Sequence, residues 1–400
     1  MFATRVMPAP PSLLEIFLAA LRLGCTSFGG PVAHLGYFRK EYVERRRWLD
    51  DAHYADLVAL CQFLPGPASS QVGFGIGFLQ RGLAGGLAAW CGFTLPSAAL
   101  MLGFAYGVTA LGSLGAAGWL AGLKAAAVAV VAQAVWSMAG SLCPDRPRAT
   151  LALGAAVVLL LVPAAWSQVA VIALGGALGW WWFRRSASGG EAAAAAIAKR
   201  RAGLLWLAAF FVLLAGLPLL AAVTRQPWLL IFDRFYRTGS LVFGGGHVIL
   251  PLLEREVVAP GWLTHDQFLA GYGAAQALPG PLFTLCAYLG ALINVGPGGW
   301  LGGVWALVAI FTPSVLLVAG ALPFWQTLRR RPGAQAALRG ANATVVGVLL
   351  AALYHPVWTA GVTGARSAAL ALTAFATLQV WKVPPWILVI AAALLGQAFL

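Results

Sequence analysis

Charge is scarce in this chain of 400 residues: 10% are charged, and Asp and Glu together number 12. A soluble domain cannot cover its surface with so few charges, and 60% hydrophobic residues with a mean hydropathy of +0.83 exclude that class. The chain is expected to be a polytopic membrane protein. Cysteines are few as well, and Cys25, Cys61, Cys91, Cys143 and Cys286 show no paired spacing, so neither a disulfide frame nor a zinc site is indicated. No Walker-type phosphate loop appears, which excludes a nucleotide-driven pump. Haem, iron–sulfur and dinucleotide motifs are also absent, which argues against a membrane reductase, so no cofactor is expected. The histidines His34, His53, His247, His265 and His355 lack metal-ligand spacing and are expected to be neither catalytic nor metal-binding. The stretch 1–11 is broken by Pro8, Pro10 and Pro11, so it does not read as a cleavable signal peptide.

What is abundant is glycine, 48 residues, which in a membrane lets helices approach closely. Apolar runs of about 20 residues mark spans. They lie near 83–108, 119–142, 150–165, 167–183, 203–222, 297–322, 337–356, 366–381 and 385–400. The formal charge of +14 comes from Lys and Arg clustered in short loops. That is the signature of cytoplasmic loops, with contact to anionic lipid headgroups as a secondary effect, and not of a nucleic-acid partner.

Two further apolar segments, 55–80 and 267–294, contain the same interruption. Gln62 is followed by Leu64-Pro65-Gly66-Pro67, and Gln276 by Leu278-Pro279-Gly280-Pro281. Two prolines flanking a glycine cannot continue a helix, because each lacks an N–H and excludes the carbonyl four residues back. Each segment is therefore either a hairpin of two short helices or an interrupted pair of spans. A backbone break at membrane depth is tolerated only where protein or a watery cavity covers it. The half-helix that follows presents free N–H groups and a positive dipole end, which suit an anion.

The interruption is one part of a tandem duplication. Residue 22 falls on residue 237: Arg22, Gly24, Phe28, Gly29 and Gly30 match Arg237, Gly239, Phe243, Gly244 and Gly245. Glu41 falls on Glu256, Trp48-Leu49 on Trp262-Leu263, Pro96-Ser97 on Pro313-Ser314, and Leu123-Lys124 on Leu338-Arg339. The units run over 12–183 and 203–400, joined by a basic Ser/Gly/Ala linker, 184–202. Basic residues crowd 39–47 and 329–331 but not the corresponding loops of the other unit, so the positive-inside rule predicts inverted repeats. Inversion also requires that 228–246, like its partner 13–30, does not cross the membrane. Asp233, Arg234 and Arg237 in the one, and Glu15 and Arg22 in the other, make each a re-entrant or interfacial element.

The stretch 27–49, SFGGPVAHLGYFRKEYVERRRWL, followed by CQFLPGP, resembles the chromate ion transporter family in its long two-domain form. The second copy, LVFGGGHVILPLLEREVV with AQALPGP, fits the family's other half, and the likeness spans nearly the whole chain. The second copy departs by carrying Gly246-His247 where the first has Pro31-Val32, which puts strict equivalence of the two sites in question. The resemblance implies an all-α, multi-pass carrier of the bacterial inner membrane that exports chromate and confers chromate resistance. Sulfate is the chemical look-alike, and a sulfate importer or exchanger is the alternative; a homo-oligomer is left open.

Chromate and sulfate are tetrahedral dianions that need hydrogen-bond donors and a local positive field. Pro65, Gly66 and Pro67 with Ser69 and Ser70, and Pro279, Gly280 and Pro281 with Thr284, are candidate donors, against the plainer account that the hydroxyls bond their own helix. Gln62 and Gln276 stand one turn before the breaks, to donate to an anion or to tie down freed carbonyls. Gly29-Gly30 and Gly244-Gly245 allow an anion nest or simply close packing. Lys124 with Arg339, and Arg22 with Arg237, are matched cations that either meet the dianion or snorkel to headgroups. Glu41 and Glu256, the matched acids, either couple transport to protons or pair with nearby arginines such as Arg22, Arg39, Arg237 or Arg255.

Overall fold

The computed structural model describes residues 11–28, 30–110, 118–162, 167–184, 197–242, 248–325 and 331–400, and these are mostly helical, with no strand among them. Ser12 caps the first helix, α1 (Leu13–Thr26), by accepting from the Glu15 N–H. Then come α2 (Gly30–Phe38), which continues as a π-helical stretch to Arg45, and α3 (Asp51–Phe63), capped by Asp50. The long α4 (Ala68–Ala110) is two helices in one, broken where Arg81 and Gly82 leave helical geometry. The first unit closes with α5 (Gly118–Leu142), α6 (Arg146–Leu161) and α7 (Ser167–Phe183).

After α8 (Ile197–Thr224) the same order returns: α9 (Pro227–Leu241), α10 (Ile249–Val257), α11 (His265–Ala277), α12 (Leu285–Leu292) and α13 (Gly299–Ala321). It ends with α14 (Pro332–Ala352), α15 (Ala365–Gln379) and α16 (Pro385–Phe399). The break inside α4 becomes the loop between α12 and α13, where Gly296 and Gly298 carry positive φ. Among the described residues α8 alone has no counterpart in the first unit. Its Leu205, Val212, Leu219 and Val223 are exposed apolar side chains, a lipid-facing stripe, and Phe210 on the other side accepts a hydrogen bond from the Tyr236 hydroxyl (2.9 Å).

Among the described residues five helical stretches are long and apolar enough to cross a membrane: 68–110, 118–142, 200–224, 299–324 and 332–361. Four of the nine expected single spans are shorter. The helices α6, α7, α15 and α16 have 15 to 17 residues, so each rises about 22–26 Å against a hydrocarbon core of about 30 Å. Asp145 starts α6 early by capping it, and Val162 leaves helical geometry, so the 150–165 run ends at Leu161. The segments 55–80 and 267–294 resolve as helix hairpins, α3 with the start of α4 and α11 with α12. The segments with the questioned crossing are α1 and α9, only 14 and 15 residues long.

The units interlock. Gly175 and Gly179 of α7 lie against Gly340 of α14, and Gly118 and Gly122 of α5 against Ala392 and Gly396 of α16. The last helix of the first unit therefore packs on α14 and the last of the second on α5, through small residues that bring the backbones together. The matched helices α4 and α13 run antiparallel: the Trp90 and Phe311 ring centroids are 5.5 Å apart, while at the far end the Trp300 N–H donates to the Tyr106 hydroxyl (2.9 Å).

Candidate functional site

The two helix breaks meet the opposite unit. Proline chemistry ends α3 at Leu64, which is extended with ψ 149°, and Gly66 turns the chain with φ +125°. The freed Gly66 N–H donates to Val242 O (2.7 Å), just beyond the end of α9. In the second unit Gly280, with φ +95°, donates to Ser27 O (3.0 Å), just beyond the end of α1. Residue 27 falls on 242 in the repeat. Each break thus closes on the same position of the other unit. The third participant is also exchanged: a Cβ at Gly66 would sit 2.6 Å from Ser314 Oγ, and one at Gly280 2.8 Å from Ser97 Oγ.

The two crossovers differ in what fills them. At the first, Gln71 Nε2 donates to Pro65 O (2.6 Å), and its other neighbour is Ser314 Oγ (3.4 Å). Its repeat counterpart is Leu285, which has no amide to offer. His34 links the crossovers. Its Nε2 donates to Ser27 O (3.1 Å), the carbonyl that also receives the Gly280 N–H, so in the neutral ring Nδ1 accepts from Ser69 Oγ (3.2 Å). At the second crossover a cavity of about 90 Å³, lined by Gly30, Pro31, Gln133, Gln276 and Gly280, holds more than one water's volume. The Gln276 amide is buried there beside the Tyr272 hydroxyl, with which it interacts, and its Nε2 has no acceptor at hydrogen-bond geometry; Ser27 Oγ and Ser70 Oγ are likewise buried and unpartnered.

The other expected site residues divide. Thr284 Oγ1 donates to Pro281 O (2.8 Å), its own turn, and Gln62 is exposed. Gly30 lines the cavity with φ +78°, whereas Gly29, Gly244 and Gly245 fall outside the described residues. Lys124 and Arg339 part company: Lys124 Nζ pairs with Asp266 (2.5 Å), tying α5 to α11, and Arg339 is exposed, as is Arg22. Arg237 is held bidentately by the buried Asp233 (3.0 and 2.9 Å).

The matched glutamates sit among arginines. Glu41, itself buried, pairs with Arg45 (2.9 Å) and Arg46 (2.7 Å), and Arg46 reaches Glu15 (3.0 Å). Glu256 lies 3.8 Å from Arg234 and 3.6 Å from Arg237. For Glu41 the partners are Arg45 and Arg46 in place of Arg22 and Arg39, while Glu256 has the expected Arg237 and Arg255 near it with Arg234 in addition. In each unit the arginine also covers the matched tryptophan, Arg46 over Trp48 (5.0 Å) and Arg234 over Trp262 (4.3 Å). Sequence reasoning missed His34, Gln71, Asp266 and Arg234. The repeat directed attention to matched positions, and His34 and Gln71 act because Ile249 and Leu285 do not match them.

Fold and site together define a duplicated, polytopic helical membrane protein with two helix breaks locked across its unit boundary. The chain belongs to the chromate transporter family, whose sequence pattern matches residues 14–180 and 229–397. The chromate transport protein of Pseudomonas aeruginosa is 29% identical over 362 residues, covering 86% of this chain and 81% of that protein. That of Cupriavidus metallidurans is 28% identical over 356 residues, covering 86% and 82%. A shorter relative, the uncharacterized transporter YwrA of Bacillus subtilis, is 32% identical over 173 residues, which span 42% of this chain and 93% of that one. No solved structure matches the chain.

Proposed function

We propose that the protein exports chromate across the bacterial inner membrane by alternating access between two inverted units, 12–183 and 203–400, and so confers chromate resistance. The observation that carries this reading is the reciprocal closure of the breaks, Gly66 on Val242 and Gly280 on Ser27, between units whose α4 and α13 run antiparallel. Broken helices meeting at the interface of inverted repeats are where secondary transporters hold their cargo. The α8 helix, which the repeat lacks, supplies the additional crossing that turns the second unit over. The relatives named as chromate transport proteins support chromate as cargo; sulfate, a tetrahedral dianion of the same charge, is the expected competitor. In this reading the dianion is held by Gln276, the break backbone and neighbouring hydroxyls. An inside-negative potential of 100 mV drives a dianion outward with about 4.6 kcal/mol, twice the single-charge value. Chromate uptake into inverted membrane vesicles tests the reading. Saturable uptake that excess sulfate inhibits and Gln276→Ala impairs is expected. No uptake, uptake that never saturates, or Cr(III) production by the purified protein would overturn it.

A further inference from the structure

Beside α9 lies a cleft of about 740 Å³, lined by Gln168, Arg234, Arg237, Arg255 and Glu256 among others. We propose that this cleft is a second oxyanion-binding site, separate from the crossovers, which takes a tetrahedral oxyanion such as sulfate or chromate between its three guanidinium groups. Planar guanidinium forks match the oxygen edges of such anions, and the cleft is large enough to admit one partly hydrated.

The cations are fixed before any anion arrives. Asp233 clamps Arg237 through Nε and Nη2, which leaves Nη1 outside that clamp. Arg234 is pinned on Trp262 and donates through Nη1 to Glu256 O (2.7 Å), while its Nε is buried with no hydrogen-bond acceptor. Arg255 lies beside the start of α7, with Nη2 3.4 Å from Ser167 Oγ. The Glu256 carboxylate stands 3.6–3.8 Å from Arg237 and Arg234, too far for direct hydrogen bonds, as a tethered anion that a diffusible one can displace.

The first unit cannot build this site. At the position of Arg234 it has Ala19, which is buried, and its Glu41 is instead held by close bonds from Arg45 and Arg46. The cleft also opens near the first residues of α7, the end opposite the basic linker 184–202. By the charge rule that end faces away from the cytoplasm. The site is therefore placed where cargo leaves, and it rests on the cleft's own residues whether or not the crossovers carry chromate.

The test is equilibrium binding of radiolabelled sulfate to the full chain in phosphatidylcholine nanodiscs, with chloride as control. Arg255→Gln and Arg234→Gln should each weaken binding roughly tenfold or more, the effect of losing a charged hydrogen-bond donor, while Gln276→Ala leaves this component unchanged. Glu256→Gln should tighten it, an effect that a purely structural glutamate would not give and that does not depend on the arginine variants folding. Sulfate binding insensitive to both Arg255→Gln and Glu256→Gln, or tracking Gln276→Ala alone, overturns the proposal. Addition of phosphatidylglycerol distinguishes the source of the oxyanion. Displacement of sulfate by the lipid with unchanged dependence on Arg255 assigns the site to a headgroup phosphate and overturns the free-anion form. Because no flux is measured, a protein that binds sulfate in the cleft yet moves no chromate would refute the transport reading and leave this one standing.

Discussion

Gly280 is the position where one added methyl group should be most informative. Its φ of +95° lies where side-chain-bearing residues are strained, at a cost of about 1–3 kcal/mol. The new Cβ would also stand 2.8 Å from Ser97 Oγ, 3.3 Å from Phe93 O and 3.4 Å from Ser97 Cβ, and overpacking of that kind costs about 1–3 kcal/mol more. Gly280→Ala is therefore expected to lose about 2–6 kcal/mol of stability, with the Gly280 to Ser27 hydrogen bond distorted and chromate flux in inverted vesicles abolished. Ser97→Ala alone should be mild, since Ser97 Oγ bonds only within its own helix, to Thr94 O at 3.2 Å. In the double variant the closest contact moves out to 3.3 Å, so part of the steric cost should be recovered and the backbone part retained. Gly66→Ala should behave like Gly280→Ala, because φ is +125° and the new methyl meets both the Gln71 amide and Ser314. The assay pairs flux with the temperature of half-inactivation of the detergent-solubilised protein. Full flux and unchanged stability in both alanine variants would refute the crossover as a required element.

Three further outcomes are expected. Lys124→Ala should weaken the α5 to α11 contact by about 1 kcal/mol, given that Asp266 is 41% exposed. Asp266→Asn in the same chain should restore part of the loss, whereas Arg339→Ala should leave flux within about twofold of native, as for most surface changes; equal losses for both single variants would return them to a shared role in the ion path. His34→Ala leaves the Ser69 hydroxyl buried without its acceptor, a cost of about 1–3 kcal/mol, and should slow flux more than His34→Asn, whose amide offers both an acceptor and a donor; identical rates would remove the histidine from the crossover. Burial raises the Glu256 carboxyl above its ordinary value, against the pull of Arg237, Arg234 and Arg255 and with Asp233 adding to the rise. Lowering the pH through that raised value neutralises the tethered anion, so sulfate affinity of the arginine cleft should increase as pH falls, and binding by Glu256→Gln should lack that step.

Much of the architecture was legible because its causes are local. A Pro-Gly-Pro sequence interrupts a helix, whereas the single Pro96, Pro218 and Pro313 lie inside helices, so both Leu-Pro-Gly-Pro breaks could be placed from residue chemistry, while the choice between a hairpin and an interrupted pair of spans could not. The duplication was visible as matched glycines, Glu41 with Glu256 and Trp48 with Trp262. Helix length was less legible. Apolar composition continues past the end of α6, and only caps such as Asp145 and non-helical residues such as Val162 decide where the hydrogen-bonded turns stop. Matched cations were read as one pair, but Lys124 and Arg339 differ because α11 brings Asp266 to the one, while the other is exposed.

By itself the sequence determined a duplicated, glycine-rich helical membrane protein with a break in each unit, because those features depend on residue type, periodicity and transfer of apolar side chains out of water. Tertiary structure alone decided that each break closes on the other unit, that Gln71 fills one crossover while Gln276 is left with an unpartnered donor in the other, and that three arginines converge beside Glu256. A hydrogen-bond partner distant in sequence is chosen by how helices pack, and packing is a property of the whole chain that no single motif carries.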